Sequence, residues 1–236
     1  MGFKRNLTAA EIVNQVCSIR DYLLERRKRQ DGEHTGAESI TNIVFMGMGE
    51  PLNNFNNLLT SLAILTDQRG LDMASRRITV STCGVIPRMH ELGDNSSVNL
   101  AISLHAVDNE SRDKLMPVNR RYPIEELMQA CRDYPIQKRK RIMIEYIMLA
   151  GVNDSDEHAR KLAALLKGVP CKINLLPFNE CDGIIYRSSS RQRILAFQEI
   201  LRACHYSVFI RNSRGSDISA ACGQLARQLT GSENGQ

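Results

Sequence analysis

The chain has 236 residues, 42% of them hydrophobic, which is enough to bury one sizeable α/β core without requiring a second domain. Lys and Arg outnumber Asp and Glu by 31 to 26, a modest basic excess. There is no apolar stretch long enough to cross a bilayer and no basic amphipathic helix with aromatic anchors, so the composition argues against a membrane protein.

Four clusters of basic residues concentrate the positive charge. One such run is usually a solvated helix end, but four in a small domain favour a polyanionic partner. The clusters are Arg26–Arg29, Arg76–Arg77, Arg120–Arg121 and Lys138–Arg141. The sequence therefore predicts a partner that is a nucleic acid.

The seven cysteines are widely spaced and contain no CxxC pair. They are Cys17, Cys83, Cys131, Cys171, Cys181, Cys204 and Cys222. An odd, scattered set is typical of reduced thiols, and the N-terminus has no apolar signal core. We therefore expect a cytoplasmic protein.

The first elements of the chain have clear local signals. Thr8 and Glu11 form a capping box, which predicts that a helix begins there. The run Asn42–Met48 (NIVFMGM) is apolar and predicts a buried strand. A second helix is expected from about Asn54 to Asp67.

Four further apolar runs, separated for the most part by helical stretches, predict strands. They are Ile78–Ser81, Val98–His105, Ile142–Leu149 and Ile173–Phe178. Pro123 is expected as the first residue of one intervening helix, Asp154–Glu157 as the acidic first turn of another, and Ser189–Cys204 as a third. This alternation predicts an α/β fold of parallel strands with crossover helices, a barrel or part of one.

The pattern changes after Cys204. Ser207–Arg211 predicts one more strand, and a short helix is expected from Ala220 to Gln228. We interpret residues 1–204 as the barrel and residues 205–236 as a strand-plus-helix extension of the same domain.

The turn Gly49-Glu50-Pro51 follows the first strand directly and is the most informative short motif. Gly49 removes side-chain bulk, Glu50 supplies a carboxylate, and Pro51 fixes the backbone as it leaves the strand. The turn is suited to binding an amine, although a plain strand-to-helix turn with a solvated Glu has the same sequence.

Polar residues also end the next predicted strands, at the edge where barrel enzymes place their active sites. They are Ser81, Ser103 with Leu104 and His105, and Asn179. Each alone has a structural explanation, such as a turn cap or a satisfied core histidine. Together with Glu50 they suit a small zwitterion that carries a nucleoside, and S-adenosylmethionine has that description.

Cys222 lies within the segment DISAACGQL, flanked by small residues that would leave its sulfur accessible. A buried, inert thiol is the commoner state of a free cysteine. A nucleophilic role requires thiolate character, which depends on the folded environment.

These motifs together resemble the RlmN family of radical S-adenosylmethionine methyltransferases, which modify carbon-2 of an adenine in 23S rRNA and in tRNA. The resemblance runs over nearly the whole chain. It is carried by GFKRNL from Gly2, GMGEPLNN from Gly47, TVSTCG from Thr79, ISLHA from Ile102, IEY from Ile144, GVND from Gly151, PFN from Pro177 and AACGQL from Ala220.

The resemblance implies a role for each candidate residue. Gly49 and Glu50 would contact the methionine amine of S-adenosylmethionine, while Ser81, Ser103-Leu104-His105 and Asn179 would hold its other polar groups. Cys222 would carry the methyl group as S-methylcysteine, and a 4Fe-4S cluster with an external electron donor would generate the radical.

The chain departs from the family at its start. The family binds its cluster through a CxxxCxxC motif upstream of the segment that matches Gly2-Phe3, and no cysteine here has that spacing. The resemblance therefore implies a partial (βα)6-type radical-SAM barrel without its first strand, a fragment that we expect to be inactive alone. Two alternatives remain: a Cfr-type enzyme that methylates carbon-8 of the adenine, and a noncatalytic module that binds RNA or S-adenosylmethionine.

Overall fold

A computed structural model of the chain describes residues 4–29, 39–46, 49–137, 140–180 and 183–211. Its helices are α1 (Ala9–Arg29), α2 (Phe55–Thr66), α3 (Ile86–Asn95), α4 (Asn109–Leu115), α5 (Ile124–Asp133), α6 (Asp156–Leu165) and α7 (Arg191–Ala203). Its strands are β1 (Ile43–Phe45), β2 (Ile78–Thr82), β3 (Asn99–Ser103), β4 (Ile142–Met148), β5 (Cys171–Pro177) and β6 (Val208–Ile210). Short 3-10 turns cover Pro51–Asn54, Ser75–Arg77 and Pro117–Arg120.

The six strands form one parallel sheet in chain order, from β1 at one edge to β6 at the other. Helices connect successive strands, as the alternating pattern predicts. The strand that the sequence sets apart after Cys204 is β6, which pairs with β5 through Ile173 and Val208 and so continues the same sheet. The helix predicted at Ala220–Gln228 and the candidate Cys222 lie outside the described residues.

The two faces of the sheet differ in chemistry. On one face, apolar side chains such as Val80, Ile102, Ile144 and Leu175 are fully buried in the hydrophobic core with residues of the helices. Because side chains alternate along a strand, the opposite face carries a different set. There the register aligns Ser103 of β3, Glu145 of β4 and Asn174 of β5 in one row. We call this polar side of the sheet the inner face.

The capping box at the start of α1 is confirmed. The Thr8 N–H donates to Glu11 Oε2 at 2.8 Å, and the Glu11 N–H donates to Thr8 Oγ1 at 3.2 Å. Two asparagines bind the backbone near the start of α1. Asn54, in the turn before α2, donates through Nδ2 to the Leu7 carbonyl, and Asn57 of α2 accepts the Ala9 N–H at Oδ1. The amino end of α1 is therefore fixed beside the end of β1.

Three local predictions are wrong in detail. β1 is not a fully buried strand: Val44 is 50% exposed, because it lies in register with Thr79 on the inner face, whereas Ile43 and Phe45 pack against the core. β3 ends at Ser103 rather than His105, because His105 adopts a φ of +61°, which no strand allows. Pro123 is the residue before α5 and not its first helical residue.

Candidate functional site

The Glu50 carboxylate is fixed at the ends of β1 and β2 by two backbone donors. Glu50 Oε1 accepts the Leu52 N–H at 2.9 Å, and Oε2 accepts the Cys83 N–H at 2.8 Å. Each oxygen keeps a free lone pair for a further donor. Gly49 has a φ of +108°, in the left-handed region that glycine adopts without strain, and a Cβ there would meet open space. The turn thus presents a preorganised, half-buried carboxylate to an amine.

Ser81 and Ser103 converge on a carboxyl group that the sequence did not single out. Ser81 Oγ donates to Glu145 Oε2 at 3.0 Å, across β3, where small Ala101 leaves space. Glu145 is only 4% exposed, and burial raises the pKa of its carboxyl, while hydrogen bonds from Ser81 and Ser103 partly oppose that rise. A single carboxylate inside the apolar run Ile142–Leu149 was the signal that could have identified it.

Asn174 lies beside Glu145 in the sheet register and is only 3% exposed. Its Nδ2 contacts the sulfur of Met143, and its Oδ1 has no hydrogen-bond partner within the described part of the chain. An unpaired buried acceptor costs about 1 to 3 kcal/mol, so such atoms in native proteins require an explanation. A ligand donor on the inner face would satisfy it.

His105 is held as a neutral imidazole at the end of β3. Its Nδ1 accepts the Ile147 N–H at 3.2 Å, which leaves the proton on Nε2. Burial, together with the positive charge of Arg112, lowers the pKa of His105 to about 4. At neutral pH the side chain is therefore an uncharged donor through Nε2.

Arg112 of α4 connects the ends of β2 and β3 through hydrogen bonds to their backbone carbonyls. It is fully buried, and its guanidinium donates to the carbonyls of Cys83, Ser103 and Leu104 and to Asn119 Oδ1 at 2.7 to 3.2 Å. Burial lowers the pKa of Arg112 to about 10, so it stays charged at pH 7. Nothing in the sequence distinguished it, because α4 is polar except for its last residue, Leu115, and looks like a solvated helix.

Leu104 and Asn179 are the two remaining candidate residues. The Leu104 side chain is fully buried in the core, its N–H donates to the Glu145 carbonyl at 3.0 Å, and its carbonyl accepts from Arg112. Asn179 is half-buried two residues after β5 and interacts within the protein. The structure therefore groups Glu50 with the end of β2, and Ser81 with Ser103 through Glu145.

Three of the thiols in the described residues are unsuited to nucleophilic attack. Burial raises the pKa values of Cys83, Cys131 and Cys171 to about 12 each, and at Cys83 the nearby Glu50 carboxylate adds to the rise.

Within the described ranges no group of three or more His, Cys, Asp or Glu side chains is placed to hold a metal ion. None of the helices in that part of the chain is long and apolar enough to span a membrane.

The imidazole of His105 gives a testable dependence of stability on pH. The fold favours the neutral imidazole, which lowers the pKa of His105 from 6.5 to about 4. The free energy of unfolding therefore keeps its full value above pH 6.5 and falls as the pH drops toward 4. We expect the chain to lose about 2 kcal/mol more of its free energy of unfolding between pH 7 and pH 5 than His105→Asn does. Asparagine also tolerates the positive φ. Urea titrations at both pH values measure the difference, and equal losses in the two proteins would contradict the assignment.

The fold and the site define the class of protein. Residues 26–163, more than half of the chain, match the Radical SAM superfamily, and the chain therefore belongs to that superfamily.

Relatives and a solved structure confirm the resemblance to the RlmN family. A dual-specificity RNA methyltransferase RlmN from Desulfotalea psychrophila is 62% identical over 98% of the chain, and one from Syntrophobacter fumaroxidans is 50% identical over 97%. The chain spans 63% and 64% of the lengths of these two relatives. A crystal structure of a radical SAM methyltransferase from Sphaerobacter thermophilus matches 94% of this chain and 63% of its own, at 45% identity and a TM-score of 0.84.

Membership of the superfamily implies S-adenosylmethionine and a 4Fe-4S cluster. The described residues fit S-adenosylmethionine. Two backbone N–H groups fix the Glu50 carboxylate. The inner face carries a row of hydroxyl, carboxyl and amide groups, in which Asn174 Oδ1 has no partner within the described residues. The described residues do not fit the 4Fe-4S cluster, because no metal-binding group of side chains is found among them.

Proposed function

We propose that this chain is the S-adenosylmethionine-binding barrel of an RNA methyltransferase that modifies carbon-2 of an adenine in 23S rRNA and in tRNA. The observation that carries the proposal is the Glu50 carboxylate, which two backbone N–H groups fix at the open edge of the polar inner face. The RlmN names and the 45 to 62% identities of the relatives support it.

In this proposal the ammonium of the cofactor binds the free lone pairs of Glu50. The Ser81 and Ser103 oxygens, whose hydroxyl protons go to Glu145, would accept from the ribose hydroxyl groups, and the Nε2 proton of His105 would go to a ribose or carboxylate oxygen. Asn174 and Asn179, on and after β5, complete the polar lining. When bound, S-adenosylmethionine supplies both the methyl group and the precursor of the radical.

We assign the methyl carrier to Cys222, in the proposed extension of residues 205–236 that follows the barrel of residues 1–204. The motif AACGQL and the high thiol pKa values of Cys83, Cys131 and Cys171 support this assignment. We further propose that the reaction occurs in the cytoplasm with an external electron donor. The free thiols of Cys17, Cys83, Cys131, Cys171 and Cys204 are in keeping with a reducing compartment.

The cofactor site is tested by Glu50→Gln. The amide keeps the shape of the side chain but loses the charge-assisted bond to the ammonium, which is worth about 1.5 to 3 kcal/mol, and it can accept only one of the two backbone N–H groups. We expect S-adenosylmethionine to bind about 10 to 150 times more weakly by titration calorimetry. Glu199→Gln, an exposed carboxylate of α7 that pairs with Arg202, is the matched control and should leave the affinity unchanged. Equal affinities of Glu50→Gln and the unmodified chain would remove Glu50 from the site.

The product distinguishes the proposed function from its alternatives. A full-length enzyme that contains this chain is expected to yield 2-methyladenosine in rRNA and tRNA digests analysed by mass spectrometry. The RlmN names of the relatives favour this product over the 8-methyl isomer. An 8-methyl product would establish the Cfr-type alternative, and binding of RNA without any methylation would establish the noncatalytic module.

A further inference from the structure

A polar groove lies at the same edge of the sheet as the Glu50 turn. Its volume is about 540 Å³, and its walls come from the segments that follow β1, β2 and β3 and from Asn6 before α1. Leu52, whose N–H binds Glu50, lines the groove, so the groove and the candidate cofactor site share a wall. None of the described residues that line it is acidic.

Two arginines of this groove are stacked on aromatic rings. Arg88 Cζ lies 4.9 Å from the ring centroid of Phe55, and Arg121 Cζ lies 5.4 Å from that of Tyr122. Arg88 also pairs with Glu91, and its side chain is 44% exposed. A guanidinium that stacks through its planar face keeps its N–H edge for a carboxylate or phosphate. The groove therefore presents two oriented guanidinium groups, of which Arg88 has to exchange its pairing with Glu91 for an anion that enters from solvent.

The asparagines of the groove divide into two kinds. Asn54 and Asn57 are occupied, since Asn57 Nδ2 donates to Asn54 Oδ1 at 2.8 Å and both bind the backbone before and at the start of α1. Asn53 and Asn56 are exposed, and their side chains make no hydrogen bond within the described ranges. Amides that both donate and accept suit the edges of nucleobases.

We propose that this groove binds a single-stranded segment of the RNA substrate next to the reacting adenine, with phosphates on Arg88 and Arg121 and base edges on Asn53 and Asn56. The inference rests on the proposed function. Single-stranded RNA is commonly recognised by arginine guanidinium groups and by amides, and this groove provides both. A concave site of about 540 Å³ has the size that a nucleotide needs. A protein partner would need a broader surface.

The proposal is tested with the double variant Arg88→Ala/Arg121→Ala and a fluorescein-labelled, unmodified tRNA transcript. Fluorescence anisotropy of the full chain at several salt concentrations gives the affinity and its salt dependence. We expect the variant to bind the RNA at least about tenfold more weakly near 0.1 M salt, and the salt slope to fall by about 1.5 because two phosphate contacts are lost.

Controls separate charge, stacking and fold. Arg69→Ala removes an arginine whose side chain is 93% exposed beyond the carboxyl end of α2, away from the groove, and should change RNA affinity less than twofold. Arg88→Lys/Arg121→Lys keeps the charges but not the stacking, so it should retain most of the salt slope and recover only part of the affinity. Circular dichroism of every variant should match that of the unmodified chain.

The possible failures are distinguishable. If the chain binds S-adenosylmethionine but not RNA, the RNA part of the proposed function fails, and the groove proposal fails with it. If the chain binds RNA and the Arg88→Ala/Arg121→Ala variant binds it equally well, only the groove proposal is overturned.

Discussion

Arg112→Met is expected to lower the free energy of unfolding of the chain by about 3 to 5 kcal/mol. The guanidinium is fully buried and donates to three carbonyls and one side-chain amide oxygen. Methionine fills a similar volume but donates to none of them, so several buried acceptors lose a charged partner worth about 1.5 to 3 kcal/mol each. Removing the cost of burying the charge offsets part of this loss. Urea unfolding followed by circular dichroism measures the change.

The matched control for this variant is Arg202→Met. Arg202 forms an exposed ion pair with Glu199 on α7, and such pairs contribute about 0 to 1 kcal/mol. Arg112 also fixes the carbonyls of Cys83 and Ser103, so the variant should bind S-adenosylmethionine more weakly where it stays folded. A loss below about 1 kcal/mol for Arg112→Met would show that the stability of the fold does not depend on this arginine.

Cys222→Ala is expected to abolish methyl transfer in a full-length enzyme that contains this chain, while S-adenosylmethionine still binds. Covalent catalysis requires a thiolate, and burial raises the pKa values of the Cys83, Cys131 and Cys171 thiols to about 12, so they stay protonated at pH 7. None of these three can replace the proposed carrier. Mass spectrometry of the RNA product measures the methyl group, and calorimetry measures cofactor binding.

Cys204→Ala is the natural control for this second variant. Cys204 is a free, exposed cysteine at the end of α7, and its replacement should leave methyl transfer intact. Methylation at the normal rate by Cys222→Ala would exclude Cys222 as the carrier. Loss of cofactor binding in the same variant would instead place Cys222 within the binding site.

The order of strands and helices could be predicted from the sequence because parallel strands covered by helices are continuous apolar runs. β2, β4 and β5 lie where such runs were found, within two residues at each end. The errors arise where the tertiary structure decides. Val44 is exposed because it lies on the inner face in register with Thr79, and β3 ends early because His105 turns to a left-handed conformation.

The candidate site could be predicted only in part. Glu50, Ser81 and Ser103 follow or end apolar runs, so local sequence marks them, and the resemblance to RlmN proteins supports the same residues. Glu145 and Arg112 are different, because their importance comes from burial and from partners that are distant in sequence. Only the register of the strands shows that Ser81 and Ser103 share one carboxyl group.

The most direct test of the central claim is a crystal structure of this chain with S-adenosylmethionine. We expect the methionine nitrogen within hydrogen-bonding distance of the Glu50 carboxylate, with the nucleoside on the inner face beside Ser103, Glu145 and Asn174. Well-defined cofactor density away from the Glu50 turn, or on the opposite side of the sheet, would contradict the account.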